Sequence, residues 1–315
     1  MSTRRRRRGP RPPSGRRLRA APGRSRARPE VRRLIVTVIG ASGFIGRHLT
    51  AALRARGDRV VETSLRGAAI SAVEASLDSD VVVNLAGAPV AVRWTESAKR
   101  EIVRSRVDLT RDYLDALARR GTFPKTYVSA SAVGYYGTSP TATFDESSPP
   151  GGDFLARVCV AWEAEADRAA ALGMRVAKIR TGLVLGTDGG VLGKLLPVFR
   201  LGLGGVVASG EQWYSWIHAD DEVGIFLHAI DGRAGGALNA AAPNPVTNRE
   251  FTRALARTLG RPAFFPVPAL AGRVLFGEGA LMLNEGQRVV PQRTLATGYV
   301  FRHPELGEAL RSLLR

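Results

Sequence analysis

The apolar residues of this chain become regular from about Leu34 onward, where strand-like and helix-like spacings alternate. A β-branched run over residues 36–39 predicts a buried strand. The apolar residues that follow recur at helical spacing, at Ile45, Leu49, Ala52 and Leu53. Gly57 ends this stripe, and Val60 begins the next apolar run. The pattern predicts a strand, a turn, an amphipathic helix and a second strand.

The alternation continues along the chain. Residues 80–87 form a further apolar run, and residues 125–129 and 175–180 are predicted as the next strands. Helical spacing covers Thr95 to about Arg120 and residues 154–172. Strands that alternate with helices are typical of the α/β class, built as a doubly wound parallel (Rossmann) sheet. We expect six or seven strands, with ligands bound at their carboxyl ends.

The pattern loosens from Gly189 into glycine-rich loops and short helices. This change indicates a smaller C-terminal substrate lobe interleaved with the last strands. We therefore predict a disordered Arg-rich tail over residues 1–33 and a dinucleotide-binding domain over residues 34–265. That domain contributes lobe segments from about residue 189, and a small C-terminal domain follows over residues 266–315.

The first predicted turn contains three glycines spaced G-x-x-G-x-x-G, at Gly40, Gly43 and Gly46. Glycines let backbone N–H groups approach a ligand closely, and the N-terminus of the following helix carries partial positive charge. A pyrophosphate fits such a turn. The sequence therefore predicts a bound dinucleotide.

The net charge of +18 comes mostly from residues 1–33, which contain 14 Arg and one Glu, whereas the rest of the chain carries a surplus of only +5. A segment of Arg, Pro, Gly and Ser cannot form a core, so we expect it to be disordered and without a specific role. Nucleic-acid contact, organelle targeting and attraction to a membrane surface are the alternatives. We expect no specific nucleic-acid partner.

Cys159 is the only cysteine, which excludes an internal disulfide and fits a reducing, cytoplasmic compartment. The histidines (His48, His218, His228 and His303) are dispersed along the sequence, so we expect no metal site. No apolar run is long enough to span a membrane, and we expect no membrane partner. The oligomeric state cannot be deduced from the sequence.

Several ordered motifs resemble the extended short-chain dehydrogenase/reductase superfamily. Within it, the chain is similar to an atypical branch of epimerase-family proteins regarded as NADP-dependent oxidoreductases. The matching motifs include residues 40–46, 84–87, 134–137, 180–185 and 216–218. Residues 286–291 match the small C-terminal domain of that branch, whose function is unassigned.

The resemblance implies a Rossmann fold and a set of cofactor-binding residues. The pyrophosphate would lie on Gly40, Ser42, Gly43, Phe44, Ile45 and Gly46. The adenosine half would lie beside Leu85, Ala86 and Gly87, and the segment from Arg180 would pass near the nicotinamide. At the end of the second strand, Arg66 and Ser64 favour the 2′-phosphate of NADP(H), because guanidinium binds phosphate bidentately. Glu62 would instead suit NAD, but its place inside the strand points it away.

The catalytic residues depart from the superfamily pattern of Ser with Tyr-x-x-x-Lys. Ser131 matches the serine, but Leu155 stands at the tyrosine position and Cys159 at the lysine position. Arg106 stands where a helix Asn is usual. A leucine cannot transfer a proton. The remaining candidates are Ser131, Tyr135, Tyr136 and His218, of which the last three could instead be packing residues.

Three functions agree with these observations. The first is an NADP-dependent oxidoreductase that acts on an unidentified small carbonyl or alcohol. The second is a cofactor-binding sensor or regulator without turnover, which the missing Tyr and Lys would permit. The third is a nucleotide-sugar epimerase or dehydratase, although that class also relies on the Tyr-Lys pair.

Overall fold

The computed structural model describes residues 33–315 apart from residues 68, 271–276 and 315, and apart from the side chain of Leu283. The predicted disorder of the N-terminal tail concerns residues 1–33, of which only Arg33 is among the described residues.

The strands follow one another along the chain as the sequence pattern predicts. The described strands are β1 (Ile35–Ile39), β2 (Arg59–Thr63), β3 (Val81–Asn84), β4 (Thr126–Ala132), β5 (Thr143–Phe144), β6 (Arg175–Thr181), β7 (Leu183–Leu185), β8 (Trp213–Tyr214), β9 (Trp216–His218), β10 (Gly236–Ala240), β11 (Val246–Thr247) and β12 (Arg288–Val289). Six of them form the central sheet in the order β10-β6-β4-β3-β1-β2, and every pair in it is parallel. The predicted doubly wound Rossmann sheet is therefore confirmed.

The helices connect these strands. Those described are α1 (Phe44–Arg56), α2 (Ala69–Ser76), α3 (Glu96–Val103), α4 (Leu109–Ala118), α5 (Phe154–Ala171), α6 (Gly190–Arg200), α7 (Ala219–Ile230), α8 (Asn248–Leu259), α9 (Leu281–Asn284), α10 (Gln292–Ala296) and α11 (Leu306–Leu314). Among the described residues, no helix combines the length and the apolar character needed to cross a membrane.

The two faces of the sheet are covered by different helices, because successive strand side chains point to opposite sides. Val36 and Val38 of β1 pack in one core with Leu49 and Leu53 of α1, on the face where α1 also contacts α7. Ile39 belongs to a second core, which contains residues of α2, α4 and α5. This arrangement leaves the carboxyl ends of the strands free to form a crevice.

The strand order reverses between β1 and β3, because β2 lies on one side of β1 and β3, the next strand along the chain, lies on the other. In open α/β sheets, a ligand binds outside the carboxyl ends of the strands at such a reversal. The glycine turn follows β1, and residues 85–87 follow β3. The two predicted cofactor segments therefore lie side by side at this edge.

The predicted helix from Thr95 to about Arg120 is interrupted. Thr95 caps α3 through a bond from Ala98 N to its Oγ1, but a π-helical segment over Arg104–Asp108 separates α3 from α4. Ser105 Oγ accepts from Ala88 N at 2.9 Å, and Arg106 Nη2 donates to Ala88 O at 2.9 Å. The segment thus binds the backbone that follows β3, and π-helical turns of this kind often occur at functional sites.

The smaller lobe is interleaved with the sheet, as the sequence predicts. Three two-stranded sheets (β5 with β12, β7 with β9 and β8 with β11) lie beyond the central sheet. A third core forms around Trp216 and Phe251, with residues of α6, α8 and α11. The lobe therefore has its own apolar interior near the carboxyl edge of the sheet.

Candidate cofactor and substrate site

The glycine turn between β1 and α1 is built for close contact with a ligand. Gly40 has φ +84°, and a Cβ at Gly46 would lie 2.4 Å from Gly40 O. Gly43 is the N-cap of α1, where no side chain caps the helix and no acidic residue occupies the first turn. The first N–H groups of the helix are therefore available to an anion. A dinucleotide pyrophosphate fits this cradle.

Of the six residues predicted to hold the pyrophosphate, Gly40, Ser42 and Gly43 lie in the turn, whereas Phe44, Ile45 and Gly46 form the first turn of α1. Ser42 and Gly43 are exposed, whereas Gly46 is buried, and Ile45 lines the cavity described below. The Phe44 ring packs under a second loop, since a Cβ at Gly189 would lie 2.3 Å from it. Phe44 thus fixes the loop that follows β7 beside the start of α1.

The residues predicted to determine the preference for NADP(H) over NAD lie at the end of β2. β2 pairs with β1 through Ile39 and Thr63, so Ser64 and Arg66 follow at the same edge as the glycine turn. Both side chains are exposed, and Arg66 N donates to Ser64 Oγ at 3.0 Å. Glu62 forms an ion pair with Arg54 of α1 instead. Its carboxylate is engaged away from the turn, which leaves Arg66 as the charged group there.

The turn after β3 is held by side chains from three elements. The buried Asn84 amide donates to Thr110 Oγ1 at 3.1 Å and to Tyr127 Oη at 2.9 Å. Its Oδ1 accepts from Ala86 N at 3.0 Å. These bonds fix the path of Leu85, Ala86 and Gly87 along the crevice, and Leu85 and Gly87 line the cavity.

A cavity of about 410 Å³ extends from Ile45, beside the glycine turn, across the ends of β4 and β6. Most of its surface is apolar, and residues from α9 and the segment after it cover one side. Its walls include Ile45, Leu85, Arg106, Ser131, Leu155, Val158, Cys159, Trp162, Thr181, Trp213, Met282, Glu285 and Gln287. This size suits a small molecule beside the end of a cofactor.

The α5 positions of the missing Tyr-Lys pair lie in the cavity wall. Leu155 and Cys159 both line it, one helical turn apart. Burial raises the pKa of the Cys159 thiol to about 12, so the thiol is neutral at physiological pH. Neither side chain can act as the usual acid or base.

Ser131 is the one of the four predicted catalytic candidates that lines the cavity. Its hydroxyl donates to Glu163 Oε1 at 2.7 Å. Arg180 also binds Glu163, from Nε to Oε1 at 2.8 Å and from Nη2 to Oε2 at 2.9 Å. The Ser131 proton is therefore held by a buried carboxylate that is already paired with a guanidinium.

Arg180, Tyr135 and Tyr136 pack together outside the cavity lining. The segment that the resemblance places near the nicotinamide lines the cavity through Thr181 and Gly182. The Arg180 guanidinium itself is buried against Glu163 and also donates to Tyr136 Oη at 2.9 Å. Tyr136 donates in turn to Asn239, and burial raises its pKa to about 12. Tyr135 lies with its ring 3.5 Å from the guanidinium carbon. Neither tyrosine lines the cavity, because both rings pack against the Arg180 guanidinium.

His218 also lies outside the cavity lining. It caps α7 by accepting from Asp220 N at 2.9 Å, and its ring stacks on His303 with 3.8 Å between centroids. The fold therefore brings together two histidines that are far apart in the sequence, and Asp220 joins them. One ligand atom from each of His218, Asp220 and His303 lies within 4.8 Å of the others, close enough for the three to share a metal ion.

The sequence pattern missed a buried acid next to the cavity. Thr181 lines the cavity and donates to Glu222 Oε1 at 2.7 Å, while Glu222 Oε2 has no partner among the described residues. Burial raises the pKa of Glu222 to about 8. A Glu in the first turn of a helix is usually exposed and interacts with the helix dipole. Glu222 is buried instead because α7 packs against β6.

Glu222→Gln is expected to stabilise the protein at alkaline pH. An acid whose pKa is raised from 4.5 to about 8 on folding costs nothing below pH 4.5, and its cost grows as the pH rises to about 8. The free energy of unfolding of Glu222→Gln should exceed that of the parent by on the order of a few kcal/mol at pH 9 and match it at pH 4.5. Denaturant unfolding across this range measures the difference. Glu211→Gln, an exposed substitution, should show none, and a parallel curve for Glu222→Gln would contradict the prediction.

Comparisons with known proteins agree with this geometry. A model of the NAD dependent epimerase/dehydratase family matches residues 36–241, and one of a domain of unknown function, DUF1731, matches residues 267–313. A chloroplastic epimerase family protein of Arabidopsis thaliana is 42% identical over 303 residues, which cover 90% of this chain and 87% of the relative.

Two solved structures are similar along most of the chain. The crystal structure of the human epimerase family protein SDR39U1 (isoform 2) with NADPH has a TM-score of 0.82 and 39% identity, covering 89% of this chain and 99% of that one. A nucleoside-diphosphate sugar epimerase from Corynebacterium glutamicum has a TM-score of 0.73 and 34% identity, covering 90% and 58% respectively.

Proposed function

The chain belongs to the NAD-dependent epimerase/dehydratase family, and we propose that it is an NADP-dependent oxidoreductase acting on a small carbonyl or alcohol. The observation that carries this proposal is a largely apolar cavity that begins at Ile45, directly after the glycine turn at the reversal point of the sheet. The NADPH in the crystal structure of the human relative supports the choice of cofactor.

The residues of this chain fit such a cofactor. The uncapped N-terminus of α1 and the glycines before it would hold the pyrophosphate, and Leu85, Ala86 and Gly87 would hold the adenosine half. Arg66 and Ser64 would hold the 2′-phosphate. When bound, NADPH supplies a hydride to the carbon of a carbonyl group.

The cavity residues orient the substrate and exclude water rather than supply a Tyr-Lys pair. Leu155, Val158 and Trp162 form an apolar wall on α5. The Ser131 hydroxyl already donates its hydrogen bond to Glu163, so its Oγ accepts a hydrogen bond from a substrate hydroxyl instead of donating one. This arrangement holds an alcohol oxygen at the end of β4 during oxidation or after reduction.

The decisive experiment follows NADPH oxidation against a panel of small aldehydes and ketones. A deuterium label at C4 of the cofactor should appear on the product carbon. Tight NADPH binding without turnover on any member would support the alternative of a sensor or regulator. An epimerase is disfavoured because Leu155 and Cys159 replace the pair on which that chemistry relies.

Arg66→Ala is expected to remove most of the preference for NADPH over NADH. Losing a charge-assisted bond to the 2′-phosphate should cost about 1.5–3 kcal/mol, or roughly tenfold or more in NADPH affinity. NADH affinity should not change, and titration of both cofactors measures the two constants. Arg59→Ala, an exposed arginine at the opposite end of β2, should leave both unchanged. Equal affinity of the intact protein for the two cofactors would refute the assignment.

A further inference from the structure

Arg106 places a positive charge in the wall of the cavity, in the π-helical segment between α3 and α4. Its hydrogen bonds go only to uncharged acceptors. Nη2 donates to Ala88 O at 2.9 Å, and Nη1 lies 3.4 Å from both Ile102 O and Ser105 Oγ. The Nε–H has no acceptor among the described residues, so the guanidinium keeps donor capacity for a ligand.

No carboxylate among the described residues pairs with this guanidinium. The two carboxylates that line the cavity are engaged elsewhere, since Asp153 caps α5 by accepting from Ala156 N and Glu285 accepts from Thr138 Oγ1. Burial lowers the pKa of Arg106, but a guanidinium remains charged in proteins. A partly desolvated charge without a counter-ion is costly unless an anion binds it.

The surroundings of Arg106 limit which anion fits. The guanidinium carbon lies 5.3 Å from the centre of the Trp162 ring, and the neighbouring wall is formed by Val158 and Leu155. Trp162 Nε1 is a second buried donor without a partner among the described residues. An anion with a compact apolar body would fill this end of the cavity, and a planar carboxylate matches the guanidinium fork.

We propose that Arg106 binds the carboxylate of the substrate, so that the substrate class is a small carboxylic acid bearing the reacting carbonyl or alcohol. This assignment rests on the proposed function, because it presumes that the reaction occurs in the same cavity. Arg106 is then a specificity-determining residue that holds the acid while the apolar wall on α5 packs against its body.

The test uses the intact protein saturated with NADP⁺, which cannot donate a hydride. Calorimetry compares phenylglyoxylate with its methyl ester, and then other acid–ester pairs of increasing size. The intact protein should bind an acid about tenfold or more tightly than its ester. Arg106→Met should abolish this preference, and Arg106→Lys should keep part of it. Arg104→Met, two residues away and exposed beside Glu101, should keep all of it.

The outcomes separate this inference from the proposed function. Absence of an acid preference in every pair would overturn the carboxylate assignment, whether or not NADPH reduces neutral carbonyls. Arg106→Met could also weaken NADP⁺ binding as much as it weakens acid binding. That result would mean that Arg106 binds the cofactor, and it would also overturn the carboxylate assignment. If Arg106→Met does not fold, Arg106→Lys and the acid–ester comparison on the intact protein decide the matter. Failure of the intact protein to bind NADP⁺ refutes the proposed function itself.

Discussion

Arg180→Met is expected to lower the free energy of unfolding by about 3–5 kcal/mol, because it leaves the Glu163 carboxylate buried without its main counter-charge. Both side chains are almost fully buried, and the two bonds between them measure 2.8 and 2.9 Å. Lys178 Nζ lies 3.8 Å from Glu163 Oε2 and offsets part of the loss. The lower end of the range is therefore the better estimate, and chemical denaturation measures it.

A surface pair provides the control for Arg180→Met. Arg54→Met removes an ion pair with Glu62 in which both side chains are about half exposed, and should cost no more than about 1 kcal/mol. The double variant Arg180→Met with Glu163→Gln should recover part of the loss, because it removes the isolated charge. A loss for Arg180→Met no larger than that of the control would contradict a stabilising role for the buried pair.

The Glu163–Arg180 ion pair is a feature that the sequence pattern did not predict. The strands and α1 were predictable because β-branched runs, helical stripes and glycines act locally. The Glu163–Arg180 pair joins α5 to β6. Tertiary packing, which the local sequence does not specify, orients the two side chains toward each other. The position of Arg180 at the start of the segment predicted to pass near the nicotinamide therefore did not reveal where its guanidinium lies.

The π-helical segment was also not predicted, because it too depends on contacts between distant parts of the chain. Ile102, Val107, Leu114 and Leu117 are all buried, so their spacing is compatible with one continuous helix. The extra residue in the turn is accommodated by two hydrogen bonds to another part of the chain, one from Ala88 N to Ser105 Oγ and one from Arg106 Nη2 to Ala88 O. The sequence identified Arg106 as a departure from the superfamily pattern, but its uncharged surroundings emerge only from the fold.

The stacking of two histidines is another contact that the sequence pattern did not predict. His218 and His303 are 85 residues apart, and the segment before α11 brings the second ring onto the first. A count of histidines and their spacing gives no sign of this contact. The packing role that the sequence left open for His218 is the one that the hydrogen bond from Asp220 N supports.

Gly43→Val is expected to abolish detectable NADPH binding while leaving the fold intact. A Cβ at Gly43 would approach only Gly40 O, at 3.3 Å, which the turn can relieve with a small shift. The exposed position of Gly43 at the N-cap of α1 means that the added methyl groups would occupy the space in front of the free N–H groups. The pyrophosphate would lose both its contact distance and its hydrogen bonds. Calorimetric titration and thermal unfolding measure the two properties separately.

Gly152→Val is the matched control, because a Cβ at Gly152 meets nothing within 4 Å and the residue lies outside the cavity lining. It should preserve both the affinity for NADPH and the unfolding temperature. Gly46→Ala should instead lose both, since its Cβ would lie 2.4 Å from Gly40 O and 2.6 Å from Ala41 O, and the backbone cannot move aside. Near-normal NADPH affinity in Gly43→Val would place the pyrophosphate away from α1. Because the orientation of the cofactor along the crevice follows from that contact, the roles given to Arg66 and to the cavity would then have to be reassigned as well.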